Sequence, residues 1–261
     1  MTIIKHELRQ GRRMLAIWTA GIGFFIAVCV FMFPEMNSQM ESVSRIFAAM
    51  GAFTAAFGMD KLNFGTLIGF YAVECGTILG LGGAFFAAIT AVGALSKEEN
   101  GRTAEFLLTH PLGRGRIVTN KLIAVLIQVV ILNVAVFALS AASMLAVGEE
   151  IPWRDICLLH GANFLMQVEL AGICFGMSAF LRHSGLGAGL GLAVTMYFLN
   201  LVANISPKAE FLKYITPFGY TDGADIVSVG RLDGVLVAIG MAFAAAGIAA
   251  AYWKYANKDI H

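Results

Sequence analysis

The sequence predicts an all-α, polytopic membrane protein with six transmembrane helices, and three observations predict it. Charged residues make up 13% of the 261 residues and hydrophobic ones 58%. A soluble domain carries about 25% charge, so the main solvent of this chain is lipid. The apolar residues come in six continuous runs, whereas strands of a transmembrane barrel alternate apolar with polar. Finally, the 18 Lys and Arg residues fall unevenly on the connections between the runs.

A membrane helix needs about 20 largely apolar residues. The runs Leu15–Phe33, Thr66–Leu95, Leu122–Val147, Cys157–Leu181, Gly185–Ile205 and Val235–Trp253 meet that length. The second is too long for one upright span, so it tilts or begins at the interface. The first is followed by Pro34-Glu35 and by no small-x-small cleavage site, so it is read as a retained span and not as a signal peptide. With a cytoplasmic N-terminus, 12 of the basic residues lie inside and 6 outside. That bias places both termini in the cytoplasm and requires an even number of spans. A net charge of +1 points to no nucleic-acid partner.

Before the first span, Thr2–Arg13 is amphipathic, with Ile3, Ile4 and Leu8 opposing Lys5, Arg9 and Arg12. It is expected to lie on the cytoplasmic leaflet and then turn into the span. Two outer segments are too apolar for plain loops. Ser44–Gly58 repeats Ile46, Phe47, Met50, Phe53 and Phe57 at helical spacing, as a surface helix would. Phe211–Val229 reads either as a short re-entrant or interfacial pair broken at Pro217, or as an ordinary outer cap.

The connection Ser96–Lys121 is the most informative segment. Ser96 and Glu99 fit a capping box, and Thr103–Thr109 has room for two helical turns before Pro111. Such a helix presents Phe106, Leu107 and Leu108 on the cytoplasmic side, either to a groove on another protein or to the underside of its own bundle. Glu98, Gly101, Thr103, Glu105, Leu107, Leu108, Pro111, Arg114 and Lys121 stand in a pattern that resembles the signature of ABC type-2 exporter permeases, the transmembrane subunits of bacterial or archaeal ATP-binding-cassette transporters. Gly113 stands where many members have Ser, and Arg102 separates a Gly and a Thr that are often adjacent. Ile4–Arg9 and Tyr214–Tyr220 are also similar to that family, so the resemblance runs the length of the chain.

The resemblance implies a single transmembrane domain over 1–261. Within it, an elbow helix spans 1–14, a cytoplasmic coupling segment 96–116 and an outer re-entrant segment 206–232. It implies a second permease copy or homologue, and a separate ATPase subunit that binds ATP and magnesium and receives the coupling helix. Glu105, Phe106, Leu107, Leu108 and Arg114 are the docking residues it implies, in the plasma (inner) membrane.

Polar residues inside the runs are the other candidates. Glu74 lies about 31 Å from Leu95 along its helix, near the outer interface. Glu169 lies about 18 Å from Leu181, near mid-membrane, where a charge costs at least about 2.5 kcal/mol. His160, Asn163 and Gln167 form one stripe of the same helix, with Glu169 on the opposite side. A helix polar on two faces belongs inside the bundle. Glu169, Gln167 and Asn163 are therefore candidates for a translocation path or for interhelical hydrogen bonds. Of the small-xxx-small pairs, Gly185–Gly191 is the densest and is expected to be a packed or moving contact. Asn200 and Asn204 are i, i+4 partners, read as glue and not as catalysts.

Neither a P-loop, an H-E-x-x-H nor a G-x-S-x-G pattern occurs, and the four cysteines form no C-x-x-C pair. The chain is therefore expected to hold no catalytic site, cofactor or metal of its own. The function expected is the permease subunit of an exporter of hydrophobic or amphipathic substrates. The alternatives are a self-contained secondary transporter or channel built on Glu169, and a scaffold that only recruits an ATPase.

Overall fold

The computed structural model describes residues 2–39, 50–59, 61–97, 113–181 and 185–257. Its helices are α1 (Thr2–Ser38), α2 (Ala52–Ala56), α3 (Leu67–Val92), α4 (Arg114–Val147), α5 (Trp153–Ser178), α6 (Leu186–Ile205), α7 (Gly223–Val229) and α8 (Gly234–Ala256). Two 3₁₀ helices, Pro207–Tyr214 and Pro217–Tyr220, lie between α6 and α7. Six of these, α1, α3, α4, α5, α6 and α8, are long and apolar enough to cross a membrane. The chain is a multi-pass membrane protein.

Helix is forced on these runs because lipid offers backbone groups no partner, so each must be paired within its own segment. Helix ends must find caps. Thr66 accepts from the Gly69 N–H at 3.2 Å at the start of α3. Asp222 does the same for Ala224 at 2.9 Å in α7, and Asp233 for Val235 at 2.9 Å in α8. Gly148, at φ 84°, closes α4 in a left-handed conformation that glycine adopts without strain.

Helix α5 sits at the centre. It packs on α3 and α8 and also touches α4, while α1 lies against α3 and α4. Backbones approach closely between α5 and α8. A Cβ on Gly172 would stand 2.8 Å from the Ala244 methyl, and one on Gly176 would stand 2.5 Å from the Gly247 carbonyl oxygen. These contacts pair residues near 172 with residues near 244. By that register, Gly234 at the start of α8 lies level with about residue 163 of α5. Helix α8 therefore begins about 15 Å below the top of α5.

Three expectations are revised. The segment 1–14 is not a helix of its own but runs unbroken into the first span as α1. No proline separates them, and one internal glycine costs only about 0.5–1 kcal/mol, too little to break a helix held by packing. The dense glycines 185–191 are only in part a packed contact. Gly187 and Gly191 face open space, whereas Gly185 meets Leu181 and Val92, and Gly189 meets Val92 and the Ala88 carbonyl. Asn200 and Asn204 do not pair. Asn204 instead donates to Asp222 at 2.9 Å and to the Ala56 carbonyl at 3.2 Å.

Between α6 and α8 the first 3₁₀ helix ends at Tyr214 and the second begins at Pro217, and Pro217–Tyr220 is buried against α5, α6 and α8. Of Ser44–Gly58, the described part includes α2, and residues 44–49 lie outside the described residues.

Candidate functional site

Three polar regions interrupt the apolar core. The first is at the end of the bundle that holds the N-terminus. Lys121, 1% exposed, donates to Glu7 at 3.1 Å and to the Ala94 carbonyl at 2.7 Å. Lys97 donates to the same Glu7 carboxylate and to Gln10 at 3.0 Å. One carboxylate on α1 thus holds two ammonium groups, one just past α3 and one in the first turns of α4. A buried ion pair is tolerable only when its members are this fully partnered. Nearby, Arg114 donates to the Ala256 carbonyl at 3.0 Å, tying the start of α4 to the end of α8. Lys97 and Arg114 flank the segment 98–112. Glu105, Phe106, Leu107 and Leu108 fall on that segment and lie outside the described residues.

The second region is a seam between α3, α4 and α5. Its hydrogen bonds have a readable direction. Ser140 donates to the Val136 carbonyl at 2.9 Å, as a helical serine can, and accepts from the Tyr71 hydroxyl at 2.9 Å. Tyr71, having spent its proton, accepts from His160 Nε2 at 2.8 Å. His160 Nδ1 is then a bare acceptor. Lower in the seam, Asn133 donates to Gln167 Oε1 at 2.7 Å. Gln167 and Asn163 fit because α3 offers glycine: a Cβ on Gly83 would stand 2.0 Å from Gln167 Nε2, and one on Gly80 3.0 Å from Asn163 Oδ1. Among the described residues, His160 Nδ1, Asn163 Oδ1, Asn133 Oδ1 and Gln167 Nε2 of the seam lack a protein hydrogen-bond partner. Each such buried atom costs about 1–3 kcal/mol when left unpaired.

The third region is Glu169, on the other face of α5 and fully buried. Its carboxylate rests on Gly240 of α8, where a Cβ would stand 2.0 Å from Oε2. The Tyr220 hydroxyl is its neighbour, and burial first, then that carboxylate, push the phenol above its ordinary pKa. Neither group closes a hydrogen bond of full geometry among the described residues. Beside Tyr220, a cavity of about 900 Å³ is bounded by segment 207–234 and the first turn of α8, with Tyr220 and Leu236 among its lining.

The sequence-predicted residues thus separate. Gln167 and Asn163 share the seam with His160, whereas Glu169 faces α8, as the opposite-face spacing required. Glu74 lies in the third turn of α3, half-buried, near the far end of the bundle. Sequence reasoning missed Glu7, Tyr71, Ser140, Tyr220 and Gly240. A glutamate in an amphipathic end segment, or a glycine in an apolar run, carries no signal of the partner it will meet.

The chain matches the family described as ABC-2 family transporter protein over residues 1–260. No curated protein matches it.

Proposed function

Because this chain belongs to the ABC-2 transporter family, whose membrane subunits lack a nucleotide-hydrolysis domain of their own, we propose that it is the permease subunit of an ABC exporter. A separate ATPase subunit drives it, and a second copy or homologue completes the path. The observation that carries this is the family match over nearly the whole chain. The partner binds ATP and magnesium, and this chain supplies the membrane path and the docking segment. Both termini lie in the cytoplasm of a plasma (inner) membrane, and the Glu7 node sits at its cytoplasmic face.

Segment 103–109 serves as the coupling helix, with Glu105, Phe106, Leu107 and Leu108 seated in a groove of the ATPase and Arg114 beside it. The node explains how motion there reaches the membrane. Force on 98–112 passes through Lys97 and Lys121 to one carboxylate, so α1, α3 and α4 move as a unit. Transport then requires that ATP and substrate bind the alternating states with different affinities. Pro207–Val229, with its buried turn at Pro217–Tyr220, forms the outer re-entrant element, and Glu169 lies at its tip on the substrate side. The Leu107→Asp/Leu108→Asp variant is expected to lose the copurifying ATPase while the spans stay folded by size-exclusion chromatography. Full retention of the ATPase would sink the docking assignment.

A further inference from the structure

The sunken start of α8 has a consequence for ligand binding. Since α8 begins about 15 Å below the top of α5, there is room above it for segment 207–234 and the cavity that segment lines. The cavity, about 900 Å³, is at the upper end of what drug-sized ligands occupy. Its lining carries Lys208, Lys213 and Arg231 against Glu210, Asp225 and Asp233. Three charges of each sign neither attract nor repel a net charge, so selection by charge falls to what lies behind that lining.

Tyr220 and Leu236 line the cavity, and behind Tyr220, outside that lining, the Glu169 carboxylate lies against the Tyr220 hydroxyl. That side chain is 0% exposed, and both its oxygens lack hydrogen-bond partners among the described residues. Gly240, one turn of α8 below Leu236, leaves it room. The lining adds Phe211 and Tyr214, whose ring faces attract cations. A lining of balanced charge, aromatic rings and a buried acid just behind Tyr220 suit a molecule that is apolar over most of its surface and positive at one end.

We propose that this cavity is the outward binding site for an amphiphilic organic cation, its charged group placed over Tyr220, within the field of the Glu169 carboxylate behind it. The inference rests on the exporter reading in treating that cation as a substrate. The binding site itself stands on the geometry of Glu169, Tyr220 and Gly240.

Tetraphenylphosphonium and tetraphenylborate test it, because they share one shape and carry opposite charge. Their binding is measured to the purified full chain in lipid nanodiscs, with empty nanodiscs subtracted. The expected result is that the cation binds more tightly than the anion. Glu169→Gln should weaken the cation by about tenfold or more while leaving the anion unchanged. Equal binding of the two ions, or cation binding unaltered in Glu169→Gln, would overturn the proposal. Should Glu169→Gln not fold, Leu236→Trp narrows the cavity without touching the acid's charge. It is expected to abolish cation binding, and binding at wild-type strength would again overturn the proposal. ATPase copurification reports separately on the exporter reading, so the failure of one is distinguishable from the failure of the other.

Discussion

Asp222 shows how one side chain ties the outer segment together and what that costs. Its Oδ1 accepts from Ala224 N–H and its Oδ2 from Asn204, both at 2.9 Å. Burial, and then the neighbouring Asp225, hold its carboxyl above the ordinary aspartate value. A raised acid binds its proton more tightly folded than unfolded, so its contribution to stability is present at low pH and is lost as pH rises through the raised value. Asn at this position keeps the cap acceptor and removes the buried charge, and the lost bond to Asn204, which still donates to the Ala56 carbonyl, costs about 1 kcal/mol, less than burying a charge. Asp222→Asn is therefore expected to be at least as stable as the wild type at neutral pH. Thermal unfolding measured across acidic pH should show that advantage shrinking as pH falls below the raised value. A constant difference at all pH values would mean that the charge of Asp222 is not felt.

The helices divide by what their glycines meet. A Cβ on Gly176 of α5 would stand 2.5–2.8 Å from backbone atoms of Gly247 in α8, and backbone cannot move aside cheaply. Gly187 of α6 faces nothing within 4 Å. Gly176→Ala is expected to cost about 1–3 kcal/mol through overpacking, and Gly187→Ala to be neutral or slightly stabilising. Detergent-denaturation midpoints of the two variants measure the difference. Equal midpoints would mean that α5 and α8 are not in close contact. The same register sets Glu169 against Gly240, so the tight glycine seam also places the buried acid.

Across the whole bundle, the Glu7 node joins three helices with one carboxylate. Glu7→Gln removes the acceptor that Lys97 and Lys121 share. Breaking a buried ion pair from one side costs about 3 kcal/mol or more, and Lys97, about one-third exposed, recovers part of its loss in water. The expected outcome is a lower unfolding temperature, together with ATP hydrolysis by the complex that no longer tracks transport. An unchanged unfolding temperature would show that the node is dispensable. Unchanged coupling in a destabilised variant would confine it to a structural part.

Six spans, their order and a chain that must live in lipid were legible in the residues, because hydropathy and helix length act locally: each span meets its requirement from its own twenty residues. The opposed faces of α5 were legible too, since 100° per residue places His160, Asn163 and Gln167 away from Glu169 whatever the neighbours are. Which face meets which helix was not. The register of α5 on α8, the depth at which α8 begins, and the pairing of Glu7 with lysines ninety and more positions away are decided by how side chains of distant segments fit. In a bundle where lipid and protein interior are equally apolar, hydrophobicity cannot rank those fits. Close packing at glycine and the pairing of buried polar groups settle them, and both exist only once the helices have met.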